Sequence, residues 1–227
     1  MAEQYAMKAP EMDQFFGGRR SDTLPLVVEL SGQRVNKATL ETFTPSGGRE
    51  VVPMNPLGRD RPFQAYVKVT EGCNCGCTFC VVPFTRGPER SRPPGQIIDE
   101  AKMLADRGAK EVTLLGQTVN SYLHPENGRA VAFAELLTRV SEVPGIERVR
   151  FVTSYPGDFT DDILLAMRDV PKICPYLHIP AQSGSDAVLR RMRRQYTVNQ
   201  YVELLDRARA CVPDLAVASD FIVGFSG

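Results

Sequence analysis

Four of the six cysteines, Cys73, Cys75, Cys77 and Cys80, crowd into one stretch, EGCNCGCTFCVVPFTRG, over residues 71–87. Asn74, Gly76 and Thr78 lie between them and favour turns over a strand or a helix. Thiolates are soft ligands, so a loop this rich in them suits an iron–sulfur cluster, zinc or copper(I). Cys73, Cys77 and Cys80 read as C-x3-C-x2-C. That set supplies three ligands to a four-iron cluster and leaves one iron open to bind a substrate, whereas fully thiolate-ligated clusters mostly carry electrons. The competing reading is a structural zinc held by all four thiolates. Zinc sites more often draw ligand pairs from separated segments.

The remaining composition sets bounds. A chain of 227 residues with 43% hydrophobic content has ample material for a core. Lys and Arg number 27 against 27 Asp and Glu, so no global field draws the molecule to nucleic acid, although local basic patches can. The opening MAEQYAMKAPEMD has neither a basic start nor an apolar run, and no stretch nears the ~18 apolar residues of a membrane span. A cytoplasmic protein without membrane contact is expected, and there clustered cysteines point to metal rather than disulfides.

Residues 1–61 carry glycine pairs, scattered prolines and one short apolar run, LPLVVEL at 24–30. They read as a linker or the remnant of another domain. From residue 62 an alternation sets in. Strand-like runs at 65–70, 111–115, 149–153, 176–179 and 216–223 are separated by helical stretches. Ile97, Ile98, Ala101, Leu104 and Ala105 recur at helical spacing before Gly108, and Phe133, Leu136, Leu137 and Val140 form a second stripe. Thr160 can cap a third helix, and Thr197 with Gln200 has capping-box spacing for a fourth. Alternating strands and helices with right-handed crossovers give an α/β fold, a partial parallel (β/α) barrel truncated after its fifth strand.

In such barrels chemistry sits at the C-terminal ends of the strands. The cysteine loop follows the first strand and GQTVN (116–120) the second. TSYP (153–156), PAQSG (180–184) and GFSG (224–227) end the other three. These segments are expected to converge on one mouth. With Phe79 just before the last cysteine, the pattern resembles the radical S-adenosylmethionine superfamily. The wider string EGCN..CTFCVVPFTRG, RSRP, EVTLLGQTVNSY, FVTSYP, LHIPAQSGSD and SDFIVGF is similar to its methylthiotransferases, and most to the MiaB type that acts on tRNA.

That resemblance implies a set of roles. Cys73, Cys77 and Cys80 would hold a [4Fe-4S] cluster whose open iron chelates S-adenosyl-L-methionine. Phe79 and Val82 would lie near the adenine, with Ile222 and Gly224 flanking it. Gln117 would meet the methionine end, and Ser154, Gln182 and Arg194 the ribose or carboxylate. A 5′-deoxyadenosyl radical would then activate C2 of N6-isopentenyl-adenosine in the anticodon stem-loop of a tRNA, with flavodoxin or ferredoxin as electron donor. Arg86, Arg90 and Arg92, and the arginines at 190, 191, 193, 194, 207 and 209, suit phosphate contacts, although such faces are often simply solvated.

The remaining residues have plainer readings. Cys75 departs from the family and reads as an idle thiol, a competing ligand or an oxidation liability. Cys174 and Cys211 read as small buried residues, His178 as a core or pocket histidine, and His124 as part of a loop. No cysteine precedes Cys73, whereas full-length methylthiotransferases carry three in an N-terminal domain that binds a second cluster. The chain is therefore expected to assemble a cluster without completing methylthiolation. A sibling enzyme acting on a ribosomal protein or on threonylcarbamoyl-adenosine is one alternative, and a non-catalytic metal-binding remnant is another.

Overall fold

The computed structural model describes residues 63–226, so the 1–61 segment read as a remnant or linker lies outside the described residues. The backbone of the fold is a run of parallel strands. Strand β1 (Gln64–Lys68) pairs with β4 (Glu111–Leu115), in register from Gln64 opposite Glu111 to Lys68 opposite Leu115. Strand β4 pairs in turn with β7 (Arg148–Phe151). A parallel bridge from Val149 to Ile173 carries the order on to β8 (Tyr176–His178), which pairs with β9 (Ala216–Ala218). The neighbours thus follow chain order, as each right-handed β/α unit of an opening barrel requires.

Between these strands run α2 (Pro94–Asp106), α3 (Phe133–Ser141), α4 (Asp161–Asp169) and α6 (Val198–Cys211), each packed on the next along the sheet. Their inward faces bury Ile97 and Leu104, Leu136 and Leu137, Ile163 and Leu164, and Leu204 against Val67, Val112, Leu114 and Val149. Val112, Thr113 and Leu114 are buried on both faces of β4, the pattern of a strand covered on two sides. Phe133 meets Phe151 edge-on at 5.2 Å, joining the start of α3 to the end of β7. Among the described residues no helix is long and apolar enough to cross a membrane.

The expected helix caps divide. Thr197 and Gln200 form the full capping box at the start of α6. Thr160 occupies the N-cap of α4, but its side chain makes no capping bond. Asp162 Oδ1 instead accepts the Ile163 N–H at 3.1 Å, since a first-turn carboxylate reaches that donor. Strand β9 ends at Ala218, well short of the expected 223, after which only a single bridge joins Gln182 to Phe221.

Two small antiparallel pairs were not foreseen. In one, β5 (Leu123–Glu126) and β6 (Arg129–Ala132) form a hairpin around Asn127 and Gly128, both with positive φ. This puts His124 in a strand rather than a loop. The Asn-Gly pair was the available signal, because both central residues of the favoured hairpin turn need φ > 0. The other pairs β2 (Thr70–Glu71) with β3 (Arg90–Ser91), closing the neck of the cysteine loop.

Arg92, just beyond that neck, is not a surface cation. It is 3% exposed, and its Nη1 donates to Glu100 Oε2 at 2.6 Å and to the Lys68 carbonyl at 2.7 Å. A charge this deep is held only by paired partners, so Arg92 is unavailable to phosphate. Leaving either charge alone in the interior costs far more than removing both. Glu100→Leu is expected to lower stability to urea by about 3–5 kcal/mol, and the double change Arg92→Met/Glu100→Leu to recover most of that loss.

A thiol-lined candidate cofactor site

The cysteine loop is shaped before any ligand is considered. Gly72 sits at φ 80, and a Cβ there would collide with the Pro88 carbonyl, so only glycine lets the two sides of the neck pass this closely. Cys73 N–H donates to the Gly87 carbonyl at 3.2 Å, continuing the closure. The far side of the loop docks on residues after α5 (Asp186–Arg191). Thr78 N–H donates to the Met192 carbonyl at 3.2 Å, and its hydroxyl to that of Arg191 at 3.0 Å. After Cys80 the chain enters the short helix α1 (Val82–Arg86).

The loop forms one wall of a cavity of about 330 Å³ at the C-terminal ends of the parallel strands. Cys73, Cys77, Cys80, Phe79 and Val82 line it from the loop side, and Cys75 is with them. Gln117 reaches it from the end of β4, Ser154 from the end of β7 and Gln182 from the end of β8, while Arg194 comes from beyond α5. Nine residues expected to share a site therefore do. Ile222 and Gly224 do not line the cavity, because β9 stops early. Ile222 instead donates its N–H to the Gln182 carbonyl at 2.9 Å, behind the wall, and Gly224 is exposed.

The thiols are electrostatically unequal. A hydrogen bond from the Cys75 thiol, helped by Thr118 at 3.5 Å and opposed by burial, lowers the Cys73 pKa to about 5. The same contact with Cys73, together with burial, pushes the Cys75 thiol up. The shared hydrogen bond thus favours the charged form at Cys73 and disfavours it at Cys75, and only a thiolate ligates metal. Cys75 also packs beside the cluster of Tyr155, Leu189 and Tyr196, which makes it a half-buried neighbour of the ligand set. Cys174 and Cys211, read as buried, are only half-buried.

Arg194 lines the cavity and also meets a thiol, a contact the sequence did not foresee. Its Nη1 donates to Cys77 Sγ at 3.3 Å, and its guanidinium lies 4.5 Å from the Tyr155 ring centre and 5.1 Å from that of Tyr196. Such stacking orients the planar fork as well as neutralising nearby negative charge. Both rings are themselves held. Tyr196 hydroxyl donates to the Ala181 carbonyl at 2.9 Å, and Asn120 brackets Tyr155 through its N–H at 2.7 Å and its carbonyl at 3.0 Å. These tyrosines were missed as site residues. Aromatics in a loop carry no signal until the fold sets them around a cation.

The donor set fits a cluster and a polar organic ligand together. Cys73, Cys77 and Cys80 line one cavity, and three thiolates suit a polynuclear cluster, in which each meets a different iron. Two residues of the lining, Gln117 and Ser154, carry buried polar atoms, Oε1 and Oγ, that have no protein partner. Orphaned polar atoms in an interior are costly, and in a cavity they ask for a ligand.

Comparison with known proteins agrees. The chain is 50% identical over 195 residues to a tRNA-2-methylthio-N(6)-dimethylallyladenosine synthase of Rhodopirellula baltica, covering 86% of this chain and 39% of that protein. It is 41% identical over 230 residues to the Syntrophus aciditrophicus protein of the same name, covering all of this chain and 49% of the relative. The chain therefore spans about half or less of the length of these relatives. In fold it is similar to the cobalamin-dependent radical enzyme OxsB, with a TM-score of 0.54 and 17% identity, over 69% of this chain and 23% of that one. It is similarly close to the methyltransferase TsrM of Kitasatospora setae, with a TM-score of 0.54 and 14% identity, over 70% and 30%. The Radical SAM superfamily model matches residues 67–227, and with the three thiols at the mouth of a parallel β/α fold, the chain belongs to that superfamily, whose members use a [4Fe-4S] cluster and S-adenosylmethionine.

Proposed function

We propose that this chain carries the radical core of a tRNA methylthiotransferase that modifies C2 of N6-isopentenyl-adenosine. One observation carries the reading: the C-x3-C-x2-C thiols line a single cavity with Gln117 and Ser154, two residues whose buried polar atoms lack protein partners. The relatives bearing the synthase name, at 41–50% identity, support the substrate class. In this reading residues 62–227 are the radical core, and 1–61 are a linker or domain remnant. The partners are the anticodon stem-loop of a tRNA and a flavodoxin or ferredoxin, in the cytoplasm.

Cys73, Cys77 and Cys80 would hold the cluster, and Cys75 would remain outside the ligand set. When bound, the cluster supplies the electron that cleaves S-adenosylmethionine reductively. The protein's part is placement and charge. Arg194 would offset the charge that Cys77 carries as a cluster ligand, its position fixed by the two tyrosines. Phe79 and Val82 offer an apolar wall for an adenine, and Gln117, Ser154 and Gln182 offer hydrogen bonds to the polar end of the ligand. Exposed Arg86, Arg190, Arg191 and Arg193 remain available to phosphates, whereas Arg92 and Arg194 are engaged in the protein.

Two measurements test this. After anaerobic reconstitution, the 227-residue chain should hold about four irons, the content of a single [4Fe-4S] cluster, and release 5′-deoxyadenosine under strong reduction. Cys73→Ala, Cys77→Ala and Cys80→Ala should each abolish both properties, and Cys75→Ser should keep both. Tightly bound zinc without iron would sink the reading. Ser154→Ala, which removes an unsatisfied buried hydroxyl, should leave the ligand-free melting temperature unchanged or raised, and weaken S-adenosylmethionine about fivefold to tenfold in equilibrium dialysis.

A further inference from the structure

Thr153 has φ 70 and Gln182 φ 64, in the left-handed region that non-glycine residues rarely enter. For a β-branched threonine the conformation is a true outlier. Asn127, Asp214 and Arg193 share it, the first two being residue types that tolerate that region and Arg193 standing in the turn after α5, and none of the three lines the cavity. Thr153 and Gln182 both line the cavity. Strained backbone persists only where its surroundings over-determine it, and it concentrates at functional sites. The question is what holds these two.

Two residues, His178 and Asp220, meet both, the first through its side chain and the second through its main chain. Thr153 N–H donates to His178 Nδ1 at 3.1 Å. His178 Nε2 lies 3.0 Å from Asp220 Oδ2. The main-chain carbonyl of Asp220 accepts the Gln182 N–H at 2.8 Å. Because Nδ1 must accept, it carries no proton, and Nε2–H donates to Asp220. The carboxylate thereby selects the tautomer that can hold Thr153. His178 also accepts the Ser154 N–H through its own carbonyl at 3.1 Å, so it receives two consecutive amides.

We propose that His178, with its tautomer set by Asp220, is a positioning residue that holds the strained Thr153 so that Ser154, whose buried hydroxyl lacks a protein partner, keeps its place in the cavity lining. The inference rests on the reading that this cavity receives S-adenosylmethionine. The imidazole touches no reacting atom and acts through the backbone of the segment after β7. Strain at Thr153 is thus maintained by an acceptor at one ring position, not by the bulk of the ring.

Asparagine places an acceptor near Nδ1 of the imidazole, glutamine places one near Nε2, and phenylalanine keeps the ring without either. In the reconstituted 227-residue chain, His178→Gln and His178→Phe should speed amide hydrogen exchange at Thr153 and Ser154, and weaken S-adenosylmethionine binding, each about tenfold. His178→Asn should stay within about threefold of the wild type in both. Exchange in β4 serves as the control for folding. Unchanged exchange at Thr153 in all three variants, or losses that follow side-chain size with asparagine no better than glutamine, would overturn the proposal. If the wild type binds no S-adenosylmethionine, the cofactor reading falls, and exchange at Thr153 still decides whether His178 is the brace.

Discussion

The structure depends first on the closed neck of the cysteine loop. Two residues on each side, Thr70 and Glu71 against Arg90 and Ser91, pair across it. Gly72 permits the contact with Pro88 that a side chain would prevent. Below the neck, Arg92 ties the Lys68 carbonyl to Glu100 on α2 inside the core. A turn-rich loop has little intrinsic order, and closing its ends removes much of the entropy that would otherwise oppose gathering three thiols on one wall. The thiols are local in sequence, yet the closed neck is what holds their loop against one cavity.

A second constraint crosses the molecule. The Arg194 contact with Cys77 joins residues 117 positions apart, and the docking of Thr78 on Arg191 and Met192 runs beside it. The guanidinium is set between Tyr155 and Tyr196, rings contributed by separate segments. A positive charge in this place favours thiolates, whose mutual repulsion in a partly dry cavity would otherwise resist their collection. The same charge brings the segment beyond α5 to the cavity, so binding chemistry and tertiary closure share one group.

The two ends of the strands are put to different uses. At the N-terminal end of β4, Glu111 is buried and accepts from Gln64 at 2.8 Å and Arg148 at 2.8 Å, with Arg150 at 3.3 Å, tying β1, β4 and β7 together. Every charge there has a partner. At the C-terminal end lie the orphaned Gln117 and Ser154 atoms, the strained Thr153 and Gln182, and the uneven thiol pair. Stability is concentrated at one end of the sheet and unmet chemical demand at the other, the division expected of parallel β/α folds.

Much of this was legible in the residues themselves. The C-x3-C-x2-C spacing, the alternation of strands and helices and the Thr197–Gln200 box are local patterns, and local patterns survive folding unchanged. Placing polar segments after strands was enough to nominate the segments that carry Gln117, Ser154 and Gln182, because parallel strands deliver their C-terminal loops to one face, and the family resemblance picked out the residues within them. The tertiary structure decided what depends on partners distant in sequence. It buried Arg92 against Glu100 while leaving Arg86 outside, a difference that no arginine carries in its own neighbourhood. It set Arg194 against the Cys77 sulfur as well as on the cavity wall, made Cys75 the hydrogen-bonding neighbour of Cys73, and ended β9 before Ile222 and Gly224 reached the wall. It also gave His178 its acceptor role, because a tautomer is chosen by the groups on both sides of a ring, here Thr153 and Asp220.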